Sequence, residues 1–189
     1  MGGAGVALCA GQKTFAAVPD GMSPELMRLA RGAVAQHRSH LSHVDRIGIV
    51  DFSRPSNRPR LFIINMNSGR SDAYLVAHGR GSDPAHTGWL KHFSNEFNSL
   101  ASSRGAFVTG SCYVGTHGRS MHLTGLDRQN SNAAARQIVV HAAPYVSSQI
   151  ARDTGVLGRS EGCFAVAPTS RDAVLSALGP GRLLYAARI

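Results

Sequence analysis

HAAPYVSSQIARDTGVLGRSEGC, His141 to Cys163, is the stretch on which the reading of the whole chain turns. It follows an apolar run, Gln137-Ile138-Val139-Val140, that reads as a strand ending at His141. It closes on Gly158-Arg159-Ser160-Glu161-Gly162-Cys163, a polar turn punctuated by glycine. A thiol is a nucleophile at neutral pH only with a base beside it, and imidazole is the usual one. A tight turn at the thiol also presents backbone N–H groups to a developing oxyanion. Cysteine is often a buried and inert residue, but polar residues and glycine precede Cys163, which is not the setting of a core thiol. The pattern assigns Cys163 as nucleophile and His141 as base. The N–H groups of Gly162 and Cys163 become the candidate oxyanion donors, in a turn geometry that glycine permits.

Upstream, Ser23-Pro24 reads as a capping hydroxyl followed by proline at the first helical position. Leu26, Leu29, Ala30, Ala33 and Val34 continue one apolar face to about His37. His37, His40 and His43 recur at every third residue, but no carboxylate or cysteine completes a metal site, and a solvated cluster is the simpler reading. Arg46 to Phe52 and Arg60 to Met66 are rich in Ile, Val and Phe and read as strands. Asn67-Ser68-Gly69 reads as a hairpin turn into a strand from Asp72 to His78. Gly79 to Arg104 is polar and too long for a plain connection, so it is either functional or mobile. Further strands are expected at Ala106 to Gly110, Cys112 to Val114 and Ser120 to Leu126. Downstream of His141 come a short helix within Pro144 to Asp153, a helix from Arg171 to Leu178 capped by Ser170, and a closing strand from Leu183 to Ala187. Gly179-Pro180-Gly181 ends the last helix. The fold class is mostly β with a minor α component and a leading helix.

The 189 residues suit one domain with a substantial core. No apolar run approaches the roughly 18 to 20 residues that span a bilayer. A net charge of +9 favours anionic partners. The cations are scattered, however, with only two lysines, and aromatic residues make up 6%, which is thin for stacking nucleic-acid bases. Nucleic acid is therefore not an expected partner. Three cysteines, Cys9, Cys112 and Cys163, lack the spacing of a disulfide framework or a zinc site. A Cys112–Cys163 disulfide would abolish the proposed chemistry. No HExxH or other metal motif occurs, and no metal or cofactor is expected. Residues 1–22 are poor in charge and rich in Gly and Ala, and read as a leader remnant or a flexible tail. Met1 to Ala10 resembles the apolar core of a signal peptide without its basic start. Residues 23–189 make the single domain.

Five blocks carry a family resemblance: IGIVDFSRPS from Ile47, AHGRGS from Ala77, THGRSMHLTGLD from Thr116, IVVHAA from Ile138 and GRSEGCFAVAP from Gly158. In this order, over roughly Asp45 to Tyr185, they resemble the murein L,D-transpeptidase catalytic-domain family, the YkuD-like L,D-transpeptidases. The resemblance implies a β-sandwich or barrel. It implies acyl transfer on a peptidoglycan tetrapeptide stem through a Cys163 thioester, with loss of D-alanine and a 3→3 crosslink. Resolution by water would make an L,D-carboxypeptidase instead, and a non-catalytic wall-binding relative is a third reading. By the same resemblance the Ala142 carbonyl orients His141, and Ser160 is the turn serine. His78 and His117 lie in matching blocks and are candidates for lining the substrate pocket. Arg159 is either a partner for a stem carboxylate or solvated surface. The resemblance further implies export to the periplasm or cell envelope, with peptidoglycan stems as partners of a monomer. Glu161 stands where relatives carry histidine or an aromatic, and Phe164 where proline is frequent. A carboxylate beside the thiol raises its pKa unless it points away.

Overall fold

The apolar runs of the chain are continuous rather than alternating, because the central strands are covered on both faces. A computed structural model describes residues 18–189. The apolar stretch Met1 to Ala10 and Cys9 lie outside the described residues. Of the segment assigned to the tail, Pro19 and Met22 are buried, and the Met22 N–H donates to the Pro19 carbonyl at 3.0 Å.

Helix α1, Pro24–Gln36, begins as its sequence predicts, with the Ser23 hydroxyl accepting from the Glu25 N–H at 3.2 Å. Strands follow as β1 (Arg46–Asp51), β2 (Leu61–Asn65), β3 (Ser71–Tyr74), β4 (Val76–Ala77), β5 (Gly105–Gly115), β6 (Gly118–Gly125), β7 (Val139–Ala142), β8 (Phe164–Val166) and β9 (Leu183–Ala187). Two more helices, α2 (Ser148–Thr154) and α3 (Arg171–Leu178), flank β8 in the chain. All nine strands join one sheet in the order β3-β2-β1-β9-β5-β6-β7-β8-β4. The pairs β1·β9 and β7·β8 are parallel, and the others are antiparallel.

Period-two alternation sorts the central side chains between two cores. Ile47, Ile49, Phe62, Ile64, Leu183 and Tyr185 pack under α1. Val50, Leu61, Ile63 and Leu184 turn the other way and meet Met121, Phe164 and the α3 residues Val174, Leu175 and Leu178. Phe52, just past β1, stacks on Phe164 of β8 with centroids 6.2 Å apart. These strands are far apart in sheet order, so the sheet wraps around this inner core in the sandwich or barrel manner expected. Its two edge strands, β3 and β4, are separated in the chain by Leu75 alone. The chain therefore passes directly from one edge of the sheet to the other.

Several expectations are corrected. The single strand from Asp72 to His78 is two strands, because β3 pairs with β2 and β4 crosses to β8. The two segments of 106–114 are one strand with a bulge between Thr109 and Cys112. Gln137 is not strand: its φ of +56° closes a turn before β7. The helix expected from Pro144 starts at Ser148, capped by the Ser147 hydroxyl, which accepts from the Ile150 N–H at 3.1 Å. Ser170 occupies the cap of α3 without a side-chain bond, because Pro168–Ser170 already forms a 3-10 turn. His37 is buried and bonded to Asp127 at 2.8 Å, while His40 and His43 are exposed. No helix among the described residues is long and apolar enough to cross a membrane.

Candidate active site

Parallel pairing of β7 and β8 sets Val140 beside Phe164 and His141 beside Ala165. One residue earlier on both strands, Cys163 falls level with Val139. Alternation then places Val139, His141, Cys163 and Ala165 on one face of the sheet. The strand-like run and the glycine turn thus deliver the thiol and the imidazole to neighbouring positions from segments far apart in sequence.

His141 is 3% exposed, and its Nδ1 lies 2.9 Å from the Ala142 carbonyl. A carbonyl only accepts, so Nδ1 carries the proton and Nε2 is left as the basic nitrogen. Burial lowers the pKa of His141, and the neighbouring His117 lowers it further against the help of the Ala142 carbonyl. Burial pushes the Cys163 thiol up. The Val139 N–H and the charge of Arg136 oppose that shift, and Glu161 adds to it. Both shifts favour an uncharged thiol and imidazole over a resting ion pair. The thiol donates to the Gln137 carbonyl at 3.4 Å, and no hydrogen bond joins it to His141 among the described residues. Unliganded sites often hold such contacts loosely. Cys112 and Cys163 are both free thiols.

The turn before the nucleophile is tied down from three sides. Ser160 is buried; its hydroxyl donates to the Cys163 carbonyl at 2.7 Å and accepts from the Gly162 N–H at 3.2 Å. The Ser160 N–H donates to the His78 carbonyl at 3.0 Å, and the Arg80 N–H to the Ser160 carbonyl at 2.7 Å. Ser102 links Gly79 N–H to the Gly162 carbonyl, each contact at 3.0 Å. Gly162 has φ +125°, and a Cβ there would lie 2.9 Å from the Ala101 carbonyl oxygen, so glycine is required. Its N–H is held by Ser160, whereas the backbone N–H groups of Val139 and Cys163 favour a thiolate at the sulfur.

The other expected site residues are placed as follows. His117 lines a cavity of about 620 Å³ together with Cys163, Gln137, Val139, Tyr113 and His122. Its ring stacks on His141 with centroids 4.3 Å apart and planes at 23°. His78 does not reach this cavity. It is 1% exposed, with Nδ1 at 2.7 Å from Arg60 Nη2 and Nε2 at 3.4 Å from Asp83, outside hydrogen-bond geometry. Burial first, then the Arg60 charge, depress its pKa to about 3, so it is neutral. Arg159 donates to the carbonyls of Asp83 and Pro84 and so braces the 79–104 segment. Glu161 points to solvent and pairs with Arg80 at 2.7 Å.

Arg136 escaped the sequence reading. Its guanidinium donates to the Ser94 and Ala101 carbonyls and the Ser99 and Ser103 hydroxyls at 2.6–3.0 Å, and its charge favours a thiolate at Cys163. An arginine in AAARQ carries no local sign of this role. Tyr113 and His122, stacked at 4.2 Å, line the cavity from β5 and β6 and were likewise not read as a pair. No group of three or more His, Cys, Asp or Glu side chains among the described residues is placed to hold a metal ion.

The pKa shifts give a direct test. In a background lacking Cys9 and Cys112, iodoacetamide alkylation of Cys163 is expected to show a pH midpoint above that of an ordinary cysteine, because only the thiolate reacts. Glu161→Gln should move that midpoint down. A wild-type midpoint below the ordinary thiol value would mean that a resting ion pair forms after all.

A free thiol that lines a cavity and an imidazole held by a backbone carbonyl thus sit on adjoining parallel segments. The chain belongs to the L,D-transpeptidase catalytic domain family, whose model matches residues 19–187. Solved structures similar to it include L,D-transpeptidase 3 from Mycobacterium tuberculosis (13% identity, 76% of this chain and 61% of that chain covered, TM-score 0.48). Another is the helical cell shape determining protein Pgp2 from Campylobacter jejuni (10%, 88% and 57%, TM-score 0.49). A third is an L,D-transpeptidase from Xylanimonas cellulosilytica (13%, 77% and 62%, TM-score 0.45). The chain spans about three fifths of the length of these solved chains. A search of curated proteins gives no match.

Proposed function

We propose that this protein is a cysteine-dependent L,D-transpeptidase acting on peptidoglycan tetrapeptide stems outside the cytoplasmic membrane. The observation that carries the reading is the placement of Cys163 on one sheet face with His141, whose Nδ1 is committed to the Ala142 carbonyl at 2.9 Å. His141 takes the thiol proton as Cys163 Sγ attacks the carbonyl of the third stem residue. The N–H groups of Cys163 and Val139, which favour negative charge at the sulfur, are the candidate oxyanion donors. His141 returns the proton to the departing D-alanine amine, and a thioester remains. An amine of a second stem then attacks it, giving a 3→3 crosslink. The side chains of Glu161 and Arg159 are engaged with Arg80 and with the Asp83 and Pro84 carbonyls, so neither contacts the stem in this account.

Incubation with a disaccharide-tetrapeptide tests this. Free D-alanine together with a crosslinked dimer is the expected result. D-alanine with tripeptide alone would make the protein an L,D-carboxypeptidase. No D-alanine from folded protein would leave the wall-binding alternative.

A further inference from the structure

The transfer step needs a second base, and the cavity offers one. Resting on the transpeptidase reading above, we propose that His117 is the catalytic base that receives the proton of the acceptor amine when the Cys163 thioester is resolved. The turn Gly115-Thr116-His117-Gly118 joins β5 to β6, with Gly118 at φ +70°. It sets the exposed His117 against the buried His141, with ring centroids 4.3 Å apart. His117 lines the cavity that Cys163 opens into, whereas His141 does not. His141 has one nitrogen tied to Ala142, so its remaining nitrogen serves the thiol and the leaving group.

An aliphatic acceptor amine arrives as an ammonium at neutral pH and is no nucleophile until it loses a proton. No Asp, Glu, Lys or Arg lines the cavity among the described residues, so no fixed charge there holds an ammonium or strips it. His122 also lines it but is stacked on Tyr113, whereas His117 is the imidazole in contact with the His141 ring. Two stacked imidazoles do not readily carry charge together. During acylation His141 holds the thiol proton and His117 stays neutral. Once D-alanine leaves with that proton, His141 is neutral and His117 is free to accept one. The ammonium then gives a proton to His117, which releases it to solvent. The neutral nitrogen attacks the thioester carbonyl, and a C–N bond forms as the C–S bond breaks. The C–S electron pair returns to Sγ, and the second nitrogen proton passes through His141 to the sulfur. Atoms and charge balance without a further reactant.

The readout is the ratio of crosslinked dimer to tripeptide formed from the same thioester, which does not depend on the acylation rate. His117→Gln and His117→Phe are both expected to lower it by about 10²-fold, the lower range for a lost general base. Phenylalanine keeps a ring against His141, so a wild-type ratio in His117→Phe would show that packing alone matters and would overturn the proposal. Hydroxylamine, which is unprotonated at neutral pH, serves as a bypass. Its hydroxamate-to-tripeptide ratio should stay within about threefold of wild type in both variants, and a fall as large as that of the dimer would also overturn the proposal. Wild type that releases D-alanine but makes no dimer refutes the role of His117 while leaving Cys163 as nucleophile. Failure to release D-alanine at all refutes the transpeptidase reading itself.

Discussion

Cys163→Ala is expected to abolish covalent acylation entirely. Incubated with a carbapenem such as imipenem, the wild-type protein should gain the mass of one adduct, and Cys163→Ala none. Cys112→Ser is the control: Cys112 is a free, exposed thiol that does not line the cavity, so its loss should leave the adduct in place. His141→Ala should still acylate, but slower by about 10²- to 10⁴-fold, the usual contribution of a positioned base. Because the Cys163 thiol is held protonated by burial, the reaction depends on His141 more than it would at a preformed thiolate. Intact-mass spectrometry over time reads all four proteins. An adduct on Cys163→Ala, or on none of them while folded, would remove the thiol from the mechanism.

Arg60→Leu should be the most damaging change away from the nucleophile. Arg60 is 0% exposed, and its guanidinium donates from Nε to the Val76 carbonyl at 2.9 Å and from Nη1 to the Arg54 carbonyl at 3.0 Å. Its Nη2 meets His78 Nδ1 at 2.7 Å, and the group lies 4.9 Å over the Phe52 ring. Burial lowers its pKa to about 9, while Asp51 and Asp83 favour its charge. Leucine leaves the Val76 carbonyl and His78 Nδ1, both buried, and the part-buried Arg54 carbonyl without their donor, and removes the cation whose charge Asp51 and Asp83 favour. Removing one member of a buried ionic network costs about 3–5 kcal/mol. For a domain of this size that is a fall of roughly 10 °C in Tm. Arg60→Lys keeps a charge but not the planar fork, so it should recover only part of the loss. Guanidinium chloride denaturation measures both variants, and a loss below about 1 kcal/mol for leucine would show that the network contributes little. Since the His78 carbonyl holds the Ser160 N–H, the same variant should loosen the turn that carries Cys163.

The proposed Cys163–His141 pair could be singled out in the sequence because each member sits in an element read from its neighbours. His141 ends an apolar run and Cys163 ends a glycine turn, and each element follows from neighbouring residues. The Ala142 carbonyl was implied only by the family resemblance, because nothing in the neighbouring residues says which carbonyl faces the His141 ring. His117 was placed at the pocket by its sequence block alone, and its stacking on His141 was not foreseen. His78 lay in a similar block with the same following glycine, yet it is buried beneath the turn. Nothing in AHGRGS differs locally from THGRS in a way that assigns one histidine to the cavity and the other to the interior.

The sequence by itself determined the helix at Pro24, the buried central strands and the last helix. These depend on apolar periodicity, capping and turn residues within a few positions of each other. The tertiary structure alone decided that Asp72 to His78 splits at Leu75, that Gln137 takes a left-handed turn, and that Arg60 and Arg136 serve buried networks. Strand pairing joins residues distant in the chain, so β4 leaves its hairpin only because β8 is there to receive it. A buried arginine is stabilised by carbonyls and hydroxyls that converge from separate loops, and that convergence exists only once the sheet has closed around its core.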